Sequence, residues 1–563
     1  MKNIIKKGCI CACVFLSAGM LFSCNDTLDE VVYSELTGDN AFTSKDDAVA
    51  AVNGMYQPLR SLTARSIFYL NDMTTDACFR KEMDTELLNE SKLPSNQDVG
   101  RWWDSCYKII SRANIALEEI PKLENSLFDD DDAKAQAAKD QLLAQAYFMR
   151  AFGYYQLTDM YYTVPLVTDT ETAVDAALPP ASIEELETQI EQDFTAAKKN
   201  LPPSYADKLD AGRPTSGAAA GFLCRLYMRM AGRTRLAGGD DATLWRTALG
   251  YVNEVLAAEG SVYSLKEHIW DVFNPETDET LYNNELIFAV RSSKDISSGS
   301  SDIGMNHTPW EYDMGWNLFS VPLQLAWQYE IDDERYSEML VTNFRNVYDT
   351  DETVPQHLFR IPVSPQECGK VYEDTPARVM SELGAAYTKK YKYTHPGSYN
   401  YNTKNNMPIM RLADMILCKA EILNELNGPT QEAVDLINRI RERAFQNDQH
   451  NLQLADYADK AALRNAICDE RLLELHNEGV RRPDLIRMGL WKDRMDKYIA
   501  GIKLASEWKE KNAKDPSTAD FSSDWKVYPQ DLTENDIRRY MPAPKREVDL
   551  NPALAGCRSF AAN

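Results

Sequence analysis

Positive charge is scarce in this 563-residue sequence: 61 Lys and Arg stand against 86 Asp and Glu, leaving a formal net charge of −25. A surface of that sign repels phosphate backbones and anionic headgroups, so nucleic acid is not an expected partner. Beyond residue 22 there is no apolar run long enough for a spanning helix. The patterns of familiar chemistry are also missing. The six histidines, His268, His307, His357, His395, His450 and His476, are scattered, and none sits at zinc spacing with another. There is no H-E-x-x-H, G-x-S-x-G, P-loop or G-x-G-x-x-G. The sequence therefore nominates no catalytic residue, no metal site and no cofactor.

Apolar content is ordinary at 44%, enough for a large core. It is the N-terminus that departs from the rest. Lys2, Lys6 and Lys7 precede the fifteen-residue apolar run Gly8–Phe22, the layout of a secretory signal rather than of a short buried helix. The run stops at "LFSC" (Leu21–Cys24), which resembles a bacterial lipobox. Residues 1–23 are then a lipoprotein signal peptide, and Cys24 is the lipidated first residue of a chain spanning 24–563. Two or more acyl chains on one residue anchor stably, where one binds only marginally. Asp26, Asp29 and Glu30 follow at once, and acids in that place resemble a surface-export signal of Bacteroidetes lipoproteins. Loss of three lysines takes the charge from −25 to −28. Three of the eleven cysteines leave with the signal. The seven beyond Cys24 are far apart and form no C-x-x-C pair, and Cys224, Cys418 and Cys468 fall inside helical patterns that suit buried packing.

Helical periodicity dominates what remains. Leu143, Tyr147, Ala151 and Tyr154 recur at spacings of three or four within Leu142–Tyr162, with small residues between the rings. Arg411–Gly428 ends on Asn427-Gly428, a helix-stop signal. Pro429–Ala444 follows, with Thr430 as its N-cap. Together they cover about 34 residues, the tetratricopeptide period. Thr215–Met230 with Ala242–Ala258 reads as a second pair, and Trp102–Ile120, Ala135–Thr158 and Ser182–Asn200 supply further helices. The expected fold class is all-α: degenerate tetratricopeptide-like helix pairs, interrupted by a loop-rich insertion at about 263–408. Within it "ELIFAV" (Glu285–Val290) reads as a strand and Trp327 as core. The run Asp129–Asp132 reads as a solvated loop, since the spaced pattern and turn glycine of an EF-hand are absent.

One stretch invites an acid–base reading: "DERLLELHNEG", with Asp469, Glu470, Arg471, Glu474, His476 and Glu478. Glu470, Glu474 and Glu478 are i,i+4 neighbours on a helix, with Arg471, Arg481 and Arg482 close by, so a structural ion-pair network is the better reading. A second stretch has the composition of a sugar site. A pyranose packs its C–H face on an aromatic ring and offers hydroxyls to Asn, Asp, Arg or Gln. "NHTPWEYDMGW" (Asn306–Trp316) provides Asn306, Trp310, Tyr312 and Trp316 within the insertion, where a rigid scaffold usually carries function. These rings can equally pin the loop to the body.

The blocks, taken in order, resemble one family. "LTGDNAFTSKDDAVAAVNGMYQPL" (Leu36–Leu59), "WWDSCYKIISRANIALEEI" (Trp102–Ile120), "AQAYFMRAFGYYQLTDMYYTVPLVTD" (Ala144–Asp169), "GRPTSGAAAGFLCRLYM" (Gly212–Met228), "MPIMRLADMILCKAEILNELNG" (Met407–Gly428), "ERLLELHNEGVRRPDLIRMG" (Glu470–Gly489) and "MPAPKREVDLNP" (Met541–Pro552) are similar to landmarks of SusD/RagB-family lipoproteins. The resemblance runs from Cys24 to about Pro552. It implies an all-α body of about four tetratricopeptide-like units with a looped region that carries the ligand, in a non-catalytic, cell-surface, lipid-anchored outer-membrane protein. Such a protein binds oligosaccharide or polysaccharide and partners a SusC-like TonB-dependent transporter. It also implies that the loop before the "WW" block contributes to the ligand site, which adds Asp76, Phe79 and Arg80; Tyr399, in "YTHPGSYNYN", is the last candidate. No tryptophan lies between Asn71 and Gly100, unlike a starch-type aromatic arc. Two other ligand classes stay open: a RagB-like peptide binder, and a glycoside hydrolase, which needs only two carboxylates.

Overall fold

The computed structural model describes residues 42–78, 93–172, 177–207, 210–274, 282–292, 303–307, 318–341, 343–345, 358–360, 385–391, 405–498, 500 and 540–556. Its longer helices are α1 (Lys45–Gly54), α2 (Gln97–Glu119), α3 (Asp132–Tyr161), α4 (Ile183–Asn200), α5 (Ser216–Leu236), α6 (Ala242–Leu256), α7 (Leu412–Asn427), α8 (Gln431–Phe445), α9 (Lys460–Leu475) and α10 (Arg481–Met488). Side chains start most of them. Asn96, Asp131, Thr215, Thr430 and Asp459 each accept a first-turn N–H, and Ser182 with Glu185 closes a reciprocal capping box on α4. Asp131 thus turns part of the acidic run into a helix start. Gly428, at φ +82°, ends α7 in a conformation that side chains disfavour.

Consecutive helices pack on one another: α2 on α3, α3 on α4, α4 on α5, α5 on α6 and α7 on α8, with α6 and α9 also lying against α7. One hydrophobic core runs through them, from Ala48 on α1 to Leu554 near the C-terminus. Its centre is aromatic. Phe148 and Phe152 of α3, Phe194 of α4, Phe222 of α5 and Phe288 meet largely edge to face at 5.0–6.2 Å, with Phe194 and Phe222 stacked. The small residues among these rings set the approach of the helices. A Cβ on Gly153 would lie 2.8 Å from Ile110 Cγ1 and 3.2 Å from the Cys106 carbonyl of α2. Cys224, Cys418 and Cys468 are buried, reduced and helical, as their pattern suggested.

The insertion holds the strands: β1 (Leu286–Val290), β2 (Val321–Pro322), β3 (Leu340–Val341), β4 (Asn343–Arg345), β5 (Leu358–Arg360), β6 (Ala385–Thr388) and β7 (Met407–Arg411). β1 pairs antiparallel with β7, β6 lies between β2 and β3, and β4 pairs with β5. β7 runs straight into α7, so Arg411 sits at a strand–helix junction. Trp327 is half-buried rather than core, because it follows the four-residue helix Leu323–Ala326, whose Leu325 and Ala326 take the interior positions. No described helix is long and apolar enough to cross a membrane.

Candidate functional site

Three segments carry the nominated ligand residues, and described residues preceding each of them are tied, directly or through ring contacts, to residues 474–481. Residues 308–317, which hold Trp310, Tyr312 and Trp316, leave from His307 and return at Leu318. The N–H groups of Leu318 and Phe319 both donate to the Asn306 carbonyl, at 2.8 and 3.1 Å, so exit and return share one point. Asn306 itself is fully buried, and its amide donates to the Ala64 carbonyl at 3.0 Å. Beside it the His307 ring packs on Phe68 at 4.5 Å, Tyr391 at 4.8 Å and Phe319 at 5.0 Å. Burial pushes the His307 imidazole down to about 3, so it stays neutral and packs as a ring.

Residues 79–92, with Phe79 and Arg80, follow a segment tied to the connection between α9 and α10. Asn71 donates to the Gly479 carbonyl at 2.9 Å, and Asp72 accepts the Gly479 N–H at 2.9 Å. Asp76 gives both carboxylate oxygens to Arg481, at 2.7 Å each. Gly479 is suited to this contact: its φ is +73°, and a Cβ there would collide with Ile67. Residues 392–404, with Tyr399, follow Tyr391, whose hydroxyl donates to the Asn477 carbonyl at 2.7 Å. The Lys390 ammonium donates to the Glu474 and His476 carbonyls and to Glu478, at 2.8, 2.9 and 2.7 Å. One short segment, 474–481, thus holds two of the three roots directly and the third through Phe68 and Tyr391. Cys24, Phe79, Arg80, Trp310, Tyr312, Trp316 and Tyr399 lie outside the described residues.

Beneath the roots is a buried ion network. Glu474 meets Arg411 at 2.5 Å, Arg335 at 3.4 Å, and Arg443. Glu478 meets Arg411 and Lys390, Glu470 meets Arg335 and Arg441, and Glu285 meets Arg411 and Arg443, all at 2.6–3.0 Å. The acids of "DERLLELHNEG" are structural partners, but not of the neighbouring arginines. The cations of Glu470, Glu474 and Glu478 come from the insertion, β7 and α8, while Asp469 pairs with Arg494 at 2.8 Å. Arg471 instead holds Asp414 and Asp484, and Arg481 holds Asp76. Arg482 donates to Thr74 and lies 4.7 Å from the Trp491 ring. The acidic face of α9 points at α8 and the insertion. The chain then reverses through Asn477 and Gly479, both at positive φ, and aims Arg481 and Arg482 the other way.

Burial alone would raise the Glu474 carboxyl; Arg443, Arg411 and Arg335 outweigh it and hold the group well below the usual range. Burial lowers Lys390 to about 8 against the pull of Glu478, and raises Asp72 to about 8 against the Gly479 N–H. Nothing marks Arg335 or Lys390 as partners of these acids in the sequence, because the pairing spans 135 and 88 residues. A separate cleft of about 960 Å³ lies along α2, walled by Tyr107, Arg112, Asn114 and Leu550, and none of the root residues lines it.

Two family models match this chain. The one described as the SusD family covers residues 284–556, and the one described as starch-binding, associating with outer membrane, covers residues 26–228. The chain is a SusD-family protein. A SusD-like protein P38 from Formosa agariphila is 26% identical over 494 residues, covering 84% of this chain and 90% of that one. A solved SusD homologue from Bacteroides thetaiotaomicron superposes with TM-score 0.70 at 21% identity, covering 93% and 98% of the two chains. A SusD-like carbohydrate-binding protein from Bacteroides fragilis superposes with TM-score 0.68 at 20% identity, covering 91% and 99%. The starch-binding model ends within α5 and the SusD model begins just before β1. The SusD model thus covers residues 308–317 and 392–404, and the starch-binding model residues 79–92. The 474–481 connection ties the two matched parts together.

Proposed function

We propose that this SusD-family chain is a surface-exposed outer-membrane lipoprotein, anchored through Cys24. It captures oligosaccharides and passes them to a SusC-like TonB-dependent transporter without cleaving them. The observation that carries the ligand site is the convergence of the three roots on residues 474–481. It supports the reading that the segments holding Trp310, Tyr312, Trp316, Phe79, Arg80 and Tyr399 serve one site. In this reading those six side chains meet the glycan, while Asp76 and Asn306 set the segments from beneath. Carbohydrate binding by the Bacteroides fragilis relative supports the ligand class. Rings contributing about 0.5–1.5 kcal/mol each give modest affinity. Tethering beside a transporter raises the local concentration, so capture need not be tight.

The test is glycan-array binding of the chain lacking residues 1–24 beside a Trp310→Ala/Trp316→Ala double variant. Binding that the variant loses, with circular dichroism unchanged, is the expected result. Binding that survives moves the site to Phe79, Arg80 or Tyr399. A response to peptides alone would replace the ligand class.

A further inference from the structure

Four rings lie between the three roots. His307 ends the short helix Ile303–His307, and Phe319 stands just past the return of the same segment. Tyr391 precedes residues 392–404, and Phe68 opens the turn Phe68–Asp72. All four are fully buried. His307 meets Phe68 at 4.5 Å and 82°, Tyr391 at 4.8 Å and 51°, and Phe319 at 5.0 Å and 40°. Phe68 in turn meets Phe319 at 5.3 Å and Tyr391 at 5.7 Å. These are the separations at which tilted and edge-on rings attract.

The His307 ring is also held from its own helix. Its Nδ1 lies 2.9 Å from the Ile303 carbonyl oxygen, which can only accept, so the one proton of the neutral ring sits on Nδ1. The backbone at Phe68 is unusual. Phe68–Asp72 is a π-helical turn, closed by the Met73 N–H on the Phe68 carbonyl at 2.8 Å, and such turns are rare and recur at functional sites. Phe68 and Tyr391 are each joined to residues 474–481, through Asn71 and Asp72 on Gly479 and through the Tyr391 hydroxyl on Asn477. We propose that His307 is a positioning residue for the ligand site. Its ring, wedged among Phe68, Phe319 and Tyr391, couples the three roots, so that a shift in one is passed to the others. A close-packed interior transmits such a shift rather than absorbing it. The assignment rests on the reading that the three segments serve one site.

The test is amide hydrogen exchange on the full-length chain in detergent. In His307→Ala, exchange should rise at least about tenfold in residues 66–73, in 303–307 with 318–322, and in 385–391, and should stay unchanged in α6. His307→Phe keeps a ring of similar size and should restore protection in all three places. A histidine that acted only through its bond to Ile303 would not be rescued in this way. Phe194→Ala removes an equally buried ring from the scaffold and should produce no selective rise at the roots. A rise confined to residues 303–322, an even rise over the whole chain, or no rescue by His307→Phe would overturn the assignment. The glycan array gives a second readout. His307→Ala should weaken at least about tenfold the binding of any array glycan that the parent holds, and His307→Phe should keep it; unchanged binding in His307→Ala would also overturn the assignment. A parent that binds no array glycan counts against capture, while the exchange pattern still decides whether His307 couples the roots, so the two failures are distinguishable.

Discussion

Glu474→Gln is the sharpest probe of the buried network. The substitution keeps the shape of the side chain and removes one charge. Glu474 is fully buried, with Arg335, Arg411 and Arg443 around it, and those arginines are 1–3% exposed. Removing one partner of a buried pair costs about 3–5 kcal/mol, because the remaining charge stays in the interior without compensation. Glu285, Glu470 and Glu478 still neutralise part of the cluster, which puts the expected loss at the lower end, about 3 kcal/mol. The pH dependence adds a second signature. The folded carboxyl is held below its unfolded value of 4.5. Its contribution is therefore complete above pH 4.5 and is lost as pH falls toward the folded value. The deficit of the variant should be full at pH 7 and should shrink as pH drops below about 4.5. Urea unfolding followed by tryptophan fluorescence at pH 7 and pH 3.5 measures both. Asp549→Asn, which breaks the exposed Lys545–Asp549 pair, is the control and should cost under about 1 kcal/mol. A Glu474→Gln loss no larger than that control, or one independent of pH, would refute the reasoning.

Three further outcomes follow from other residues. Asp72 has a folded value raised to about 8 against 3.8, so its contribution to stability declines as pH rises from about 4 to 8. Asp72→Asn should flatten the fall of Tm over that range, and parallel curves for the two proteins would contradict the assignment. Gly153→Ala drives a methyl to 2.8 Å from Ile110 and should cost about 1–3 kcal/mol in denaturant unfolding, whereas the same change at the open Gly250 should not destabilise. Cys24→Ala should shift the protein from the membrane fraction to the soluble fraction; retention in the membrane would count against anchoring at that residue.

Much of the helical scaffold is legible in the chain because its signals are local. Thr430 and Ser182 cap the helices they precede in sequence, Asn427-Gly428 ends α7, and the rings of Leu142–Tyr162 fall at helical spacing. The same locality misleads at "DERLLELHNEG". Adjacent arginines appear to be the natural partners of Glu470, Glu474 and Glu478, but the turn at Asn477–Gly479 sends Arg481 and Arg482 to Asp76 and Thr74. The candidate ligand segment at Asn306–Trp316 rests on ring and polar composition and the one at Asp76–Arg80 on the family resemblance, and both say what a segment can bind and not where it stands.

The sequence by itself determined the leader-like N-terminus, the acidic surface, the all-α class and the order of blocks that resembles the SusD family, because each depends on residue type or on spacing within a few helical turns. Only the tertiary structure decided that Asn306, Asp76 and Tyr391 come from three distant segments to one place. It alone decided that Arg335, Lys390, Arg411 and Arg443 neutralise Glu470, Glu474 and Glu478, and that His450 faces Glu330 and Asp332. Those ion pairs span from 31 residues, between Arg443 and Glu474, to 139, between Arg335 and Glu474, and Coulomb attraction and burial act between neighbours in space whatever their separation along the chain.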